Sequence, residues 1–258
     1  MSGVLTYSAR SDVKFEGDSF SVGADSVSCL LTTDDLKSSY GAPKKGQCTI
    51  VERINTEWDV KDLVDIELVK KALSRKSTVT KIAKSNSVSE ILEHLGLKEI
   101  ALVADYNELQ AQTFVKGHIL NGSLGGPGDN CNLIPMTSSA NSSYRHGCEA
   151  KLIKLLELAK KAENACKKSN LKRELRVKVK FTARCSGARK PWWGSPTNEF
   201  KTMLGKLPAK LIVSYYVEEY FLRDKPNVRV GKSKLDPAEK KHFAKVEGSS
   251  LRKQTFEL

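Results

Sequence analysis

The sequence predicts an α+β fold with a mixed or antiparallel sheet, because strand-like and helix-like patterns follow one another along a single chain of 258 residues. Residues 173–183 and 210–218 alternate polar or charged side chains with apolar ones, as half-buried strands do. The preceding segment, 142–168, repeats its apolar residues with helical spacing. The apolar stripe of this predicted helix is Leu152, Leu155, Leu156 and Ala159.

The ends of the chain look different from its middle. Residues 1–55 contain short apolar runs separated by turn residues, which predict strands at 4–8, 19–22, 27–31 and 47–51. Helices are expected at 60–74 and 87–95. We therefore expect 1–97 to form an extension packed on a core of residues 98–223. Residues 224–258 are mostly polar, with nine Lys or Arg and five Asp or Glu, and are expected to form a loosely held basic tail.

A histidine lies on a predicted strand just before a glycine-rich loop. The run 113–120 is apolar and partly β-branched, which favours a strand that carries His118, and 99–104 is a second strand candidate before it. Gly and Pro at 124–128 predict a loop after this strand. Asn141 then falls near the start of the predicted helix, where an asparagine could serve simply as the N-cap.

The spacing of these polar residues forms a recognisable motif. It runs Lys116-Gly-His118, then Leu-Gly-Gly-Pro-Gly at 124–128, then Asn132-Leu-Ile-Pro-Met136. Asn141 follows Asn132 by nine positions and Glu149 follows Asn141 by eight. This pattern resembles the DNA/RNA non-specific endonucleases of the ββα-metal, or His-metal finger, superfamily. Its closest similarity is to bacterial nuclease toxin domains, including cargo of contractile injection systems.

The resemblance implies a ββα-metal motif near the middle of the chain and a metal-dependent, sequence-nonspecific endonuclease. His118 would be the base that activates water, since imidazole titrates near neutrality. Asn141 would bind Mg²⁺, which Mn²⁺ or another divalent cation can replace, and Glu149 would hold a metal-bound water. Asn132 would mainly position the loop and the histidine backbone. Lys116 stands where the family has an arginine that assists the transition state.

The chain departs from the family pattern at several other positions. Val115 replaces an Asp, Met136 replaces a Gln, and Ile153 stands where an Arg is frequent. Arg145 occupies a position that is often Trp, and we count it among the expected nucleic-acid contacts. His146 is an alternative metal ligand, because HNH-type relatives use a histidine at the helix start and the gap of fourteen from His118 to Asn132 fits such sites.

The net charge of +13 and a pI of about 9.4 favour a polyanionic partner, since Lys and Arg attract phosphates and release counterions from them. DNA, RNA or both are the expected substrates. A basic loop with two tryptophans lies between the two predicted strands, and its aromatic rings could stack on bases or anchor the loop to the core. The expected nucleic-acid contacts in this loop are Arg184, Arg189, Lys190, Trp192 and Trp193.

Two functions compete with the nuclease: a non-catalytic nucleic-acid-binding module on the same fold, and a sequence-specific HNH-type nuclease. The six cysteines contain no C-x-x-C pair and are expected to be free thiols, although Cys131 and Cys148 flank the motif and could bridge.

No apolar run reaches the length of a membrane span, about 18 residues, and the first twenty residues lack the pattern of a signal peptide. We expect a toxin that stays in the cytoplasm of its producer until a dedicated secretion or injection system exports it. Its expected partners are an immunity protein or a delivery apparatus.

Overall fold

The computed structural model describes residues 5–37, 41–57, 114–168, 173–189 and 198–258. The helices expected at 60–74 and 87–95 and the strand expected at 99–104 lie outside the described residues. So do Lys190, Trp192 and Trp193.

A six-stranded antiparallel sheet forms the centre of the described chain. Five strands lie side by side in the order β1 (Thr6–Ala9), β4 (Ala24–Leu31), β7 (Leu175–Ala188), β8 (Pro208–Leu222) and β10 (Leu251–Glu257). The sixth, β9 (Arg229–Val230), pairs with β8. Two antiparallel pairs lie outside this sheet: β2 (Val13–Phe15) with β3 (Asp18–Phe20), and β5 (Phe114–His118) with β6 (Leu133–Thr137). The expected α+β class with an antiparallel sheet is confirmed.

Strands β7 and β8 form the longest pairing of the sheet. Inward-facing β7 residues alternate with more exposed ones, and Val177, Val179 and Phe181 are fully buried. The alternation that predicted strands at 173–183 and 210–218 is therefore confirmed. Strand β7 begins two residues later than predicted and continues to Ala188, and β8 extends beyond both predicted ends.

Four helices accompany these sheets in the described part of the chain. The second, α2, begins as Ser138–Tyr144, passes through the π-helical turn Arg145–Glu149 and continues as Ala150–Lys168. The others are α1 (Ile50–Glu57), α3 (Asn198–Gly205) and α4 (Pro237–Gly248). The predicted stripe of α2, from Leu152 to Ala159, is buried in one core with the inner faces of β7 and β8, which confirms its helical spacing.

A smaller core lies on the other side of the β5–β6 hairpin. Phe114 and Leu133 of the hairpin pack there with apolar residues of β2, α1 and α3, whereas Ile134 and Met136 face the main core. The β5–β6 hairpin thus packs between two apolar clusters, and side-chain contacts on both faces hold its conformation.

The C-terminal residues are not the loose basic tail that their polarity suggested. Strand β10 pairs with β8, and Phe243, Val246 and Phe256 are buried. Helix α4 starts at a capping box. The Asp236 carboxylate accepts from the Glu239 backbone N–H, and the Glu239 carboxylate accepts from the Asp236 backbone N–H. A few widely spaced apolar residues therefore suffice to dock this polar segment.

The N-terminal residues were expected to form an extension packed on the core, and the described ones are part of the central sheet itself. Strand β4 pairs with β7, so the described N-terminal residues complete the central sheet. The strand expected at 47–51 is absent, because helix α1 starts at Ile50 and buries Ile50, Val51 and Ile54 on one face.

All six cysteines are free, and Cys131 and Cys148 do not bridge. Within the described ranges, no helix combines the length and the apolar character needed to cross a membrane.

Candidate functional site

The histidine of the motif lies at the end of a hairpin on which a helix packs. His118 ends β5 and is paired with Leu133, the first residue of β6, while Phe114 is paired with Thr137 at the other end. Helix α2 follows β6 directly. The Tyr144 hydroxyl donates to the Ile119 carbonyl, so the second turn of α2 lies beside the residue that follows His118. The pairing partner of the histidine strand is therefore β6, a segment that the sequence analysis did not assign to a strand.

Asn132 closes the loop that joins the two strands. Its side chain is fully buried, accepts from the Leu120 N–H at 2.8 Å and donates to the carbonyls of Leu120 at 2.9 Å and Pro127 at 3.0 Å. Its backbone carbonyl accepts from Ile119 at 2.8 Å. These bonds satisfy the amide within the protein, so Asn132 fixes the chain after His118 and has no free group for a substrate.

The glycines of the loop permit this close packing. A side chain on Gly126 would place its Cβ 1.8 Å from the Leu120 carbonyl oxygen, which no residue can tolerate. Gly125 ends the short 3-10 turn of the loop at φ 85°, a left-handed conformation that glycine adopts without strain. Gly125 and Gly126 are therefore required by the backbone geometry around Asn132.

His118 is half-buried, and its Nε2 has no hydrogen-bond partner in the described part of the chain. Burial lowers the pKa of the imidazole below its ordinary value of 6.5, and a backbone hydrogen bond with Gly41 opposes this shift. The ring is consequently neutral at neutral pH. The Nε2 atom is buried as well as unpartnered, so it would accept a proton only from a molecule that enters beside the ring.

The sequence did not decide whether Asn141 is the N-cap of α2, and in the structure it is not. Thr137 caps α2, because its hydroxyl accepts from the Ala140 N–H at 3.2 Å. Asn141 lies in the first turns of α2, partly exposed, and its side chain makes no hydrogen bond to any described residue. Its amide oxygen is therefore available to an external ligand.

Glu149 is brought closer to the Asn141 side of α2 by the π-helical turn. A regular helix would offset the two residues by about 80°. The wider π turn advances less per residue and reduces that offset. Glu149 is only 8% exposed and accepts from the Asn121 side chain at 3.0 Å. Burial raises the pKa of the Glu149 carboxyl, and the Asn121 bond and the Arg145 charge oppose this rise.

Asn121 was missed by the sequence analysis. It follows His118 by three residues, and its Oδ1 also accepts from the Ser123 N–H at 2.8 Å, which starts the short 3-10 turn of the loop. The Asn-Gly pair at 121–122 is a turn signal that could have identified the position, although not its bond to Glu149.

Replacing Glu149 by glutamine is expected to raise the melting temperature at neutral pH. The raised pKa means that the folded protein binds a proton more tightly than the unfolded chain, so stability falls as pH rises from the ordinary value of 4.5 through the folded-state pKa. Above that window the buried charge costs stability in full, and Glu149→Gln removes it while keeping an acceptor for Asn121. Calorimetric unfolding between pH 4 and 8 measures the difference.

Glu157→Gln on the exposed side of α2 serves as the matched control and should shift the melting temperature little at any pH. The stabilisation by Glu149→Gln should shrink towards acid pH. Equal stabilisation by Glu149→Gln and Glu157→Gln, or none by Glu149→Gln, would show that the buried Glu149 charge does not destabilise the folded protein.

Lys116 has a partner within the protein. Its ammonium lies 2.6 Å from the Glu52 carboxylate of α1, and the side chain is 14% exposed. The Asn55 side chain also exchanges two hydrogen bonds with the Phe114 backbone, so α1 covers the outer edge of β5. Glu52 is 64 residues from Lys116, and nothing in the sequence signals this pair. The positive charge expected to face a phosphate is balanced by a carboxylate here.

The other basic residues expected to contact nucleic acid occupy different environments. Arg145 and His146 are exposed on the π-helical turn, and Arg184 is exposed on β7. Arg189, expected in an exposed loop, is instead buried at 8% exposure because its guanidinium lies over the Phe114 ring.

The described residues of the motif offer few ligands for a divalent cation. Among the described residues, no three His, Cys, Asp or Glu side chains are grouped to hold a metal. The Asn141 amide makes no hydrogen bond to a described residue and could supply one oxygen ligand, and Mg²⁺ commonly keeps several waters and takes few protein ligands. A site with one protein ligand would depend on the substrate phosphate for affinity.

The chain matches no family model, no curated protein and no solved structure. The role of the site therefore rests on the chemistry of its own groups.

Proposed function

We propose that this protein is a metal-dependent, sequence-nonspecific endonuclease that hydrolyses the phosphodiester bonds of DNA, RNA or both. The observation that carries the proposal is the half-buried, neutral His118 with an unpartnered Nε2, at the end of a hairpin on which α2 packs with a free Asn141 amide. The motif spacing and the net charge of +13 support it.

His118 acts as the general base in this proposal. The neutral imidazole takes a proton from a water molecule, the resulting hydroxide attacks phosphorus, and the bond from phosphorus to the leaving oxygen breaks. Asn132 and the loop glycines hold the histidine backbone in place for this step. The proton then leaves His118 for solvent, which restores the base.

Asn141 would hold the Mg²⁺ ion together with water and phosphate oxygens. When bound, the cation neutralises charge on the phosphate and on the leaving oxygen. Glu149, on the π-helical turn of α2, would accept from a water bound to the cation, and its buried carboxyl is held by Asn121. Because each group contacts phosphate or water and not a base, the cleavage would be independent of sequence.

A nuclease of this kind endangers the cell that makes it. We propose that it acts as a bacterial effector toxin, held in check by an immunity protein or a delivery apparatus and exported into a target cell by a dedicated system. The similarity of the motif to nuclease toxins supports this role.

Digestion of supercoiled plasmid DNA and total RNA by the purified protein tests the activity. With Mg²⁺ we expect a smear of products from at least one substrate, and with EDTA no cleavage. Discrete DNA bands would indicate the sequence-specific HNH-type nuclease. Binding of nucleic acid without cleavage under any divalent cation would indicate the non-catalytic module.

A further inference from the structure

Arg189 carries a buried positive charge that pairs with no carboxylate in the described part of the chain. The residue is 8% exposed, and its Nε and Nη2 atoms have no hydrogen-bond partner among the described residues. The guanidinium lies 4.7 Å from the centre of the Phe114 ring, and its backbone N–H donates to Leu207 at 3.0 Å. Buried polar side chains nearly always have partners, so these two atoms point to a missing one.

The two unpartnered atoms lie on the same edge of the guanidinium. Nε–H and Nη2–H donate in parallel, which is the fork that binds two oxygens of one carboxylate or phosphate. Burial lowers the pKa of Arg189 to about 10, and the group is still charged at neutral pH. Both donor atoms are themselves shielded from solvent, so an anion would reach this edge through a small turn of the guanidinium toward the cleft that Arg189 lines, and it would meet two donors and a full positive charge there.

This arginine lines a cleft of about 720 Å³ between the start of α2 and strand β10. The hydroxyls of Ser139 and Ser143 and the amide of Gln254 also line it, and all three can donate hydrogen bonds. The carboxylate on the wall, Glu257, is 73% exposed and lies 2.8 Å from Lys210, so its charge is balanced elsewhere.

The cleft is separate from the site around His118. Ser139 and Ser143 lie two residues before and after Asn141, which places them about 160° away around a regular helix. Arg189 contacts Phe114, at the opposite end of β5 from His118, roughly 13 Å along the strand. An anion bound to Arg189 would therefore not occupy the proposed active site.

We propose that this cleft binds a phosphate group through the Nε and Nη2 edge of Arg189. The fork would hold two phosphate oxygens, and the remaining oxygens would accept from Ser139, Ser143 or Gln254. A carboxylate would satisfy the fork but has no further oxygens for these donors. The phosphate belongs either to a free phosphate compound or to a polynucleotide backbone, and the site does not depend on cleavage activity.

Thermal unfolding and titration calorimetry with inorganic phosphate test the site, with chloride used to keep the ionic strength constant. We expect a saturable rise in the melting temperature of the wild-type protein and at least a tenfold loss of phosphate affinity in Arg189→Gln. Arg252→Gln, which removes an exposed arginine from β10, should keep the wild-type response. No response of the wild type, or equal losses in both variants, would overturn the proposal.

Ser143→Glu provides a second variant that keeps Arg189. A carboxylate placed on the wall of the cleft should pair with the guanidinium, raise the melting temperature without phosphate and abolish the phosphate response. An unchanged phosphate response in this variant would place the bound phosphate outside the cleft and overturn the proposal.

A labelled single-stranded oligonucleotide, added in EDTA, distinguishes the two sources of the phosphate. Displacement of the oligonucleotide by inorganic phosphate, together with weaker oligonucleotide binding by Arg189→Gln, supports a backbone phosphate. Loss of phosphate binding alone in Arg189→Gln supports a free phosphate compound. Phosphate binding by a protein that cleaves nothing would contradict only the proposed nuclease, and cleavage without phosphate binding would contradict only this site.

Discussion

Replacing His118 by alanine is expected to lower the rate of phosphodiester cleavage by about 10²–10⁴-fold, the usual contribution of a general base. Stability should fall only modestly, because the substitution removes a half-buried ring and its hydrogen bond with the Gly41 backbone but leaves no partner of Nε2 unsatisfied in the described chain. Cleavage of supercoiled plasmid under single-turnover conditions measures the rate, and calorimetric unfolding measures the stability.

His242→Ala on α4 is the matched control for His118→Ala. It removes an imidazole that is remote from the hairpin in sequence and should cleave at the wild-type rate. Nucleic-acid binding in EDTA should be similar for the wild type, His118→Ala and His242→Ala. Cleavage by His118→Ala at the wild-type rate would exclude this histidine as the base.

Replacing Asn141 by alanine is expected to abolish cleavage at low millimolar Mg²⁺, with partial recovery at higher concentrations if phosphate and water still hold the cation. Because Thr137 and not Asn141 caps the helix, Asn141→Ala should unfold at nearly the wild-type temperature. The rate is measured as a function of Mg²⁺ concentration, and the stability by thermal unfolding.

Thr137→Ala separates the two roles that the sequence left open for Asn141. It removes the cap and should cost roughly 0.5–2 kcal/mol of stability, while the Mg²⁺ dependence of cleavage stays that of the wild type. If Asn141→Ala instead cleaves normally and His146→Ala loses the metal response, the exposed His146 is the ligand and the site is of the HNH type.

The parts of the fold that were predictable are those whose pattern is local. Strands β7 and β8 alternate in burial residue by residue, and the stripe from Leu152 to Ala159 repeats with helical spacing. Strand β6 has no such pattern, because all five of its residues are buried and one is Pro135. Its strand conformation follows from pairing with β5, which a single segment does not reveal.

The ends of the chain were misjudged for a related reason. Strand β10 is mostly exposed and polar, and its place in the sheet depends on backbone pairing with β8. The start of α4, by contrast, could have been predicted, since the Asp-Pro-Ala-Glu run at 236–239 is a capping sequence with proline at the first helical position. Polarity alone was a poor guide to whether these residues are docked.

In the candidate site, too, local spacing was informative and contacts between distant segments were not predictable. The motif spacing proposed His118, Asn132, Asn141 and Glu149 as site residues, and the structure places all four on the β5–β6 hairpin and α2, with Glu149 on the π-helical turn. The Lys116–Glu52 pair and the burial of Arg189 over Phe114 depend on contacts between distant segments. No periodicity or spacing in the sequence encodes those contacts.

The pH dependence of kcat/KM for plasmid cleavage tests most directly whether His118 is the base. Because burial lowers its pKa, the acidic limb should have its midpoint below 6.5, and activity should rise as the imidazole loses its proton. Glu149→Gln should keep this limb, which excludes the buried carboxyl of Glu149 as its source. A midpoint at or above 6.5, or the same limb in the residual activity of His118→Ala, would contradict the mechanism.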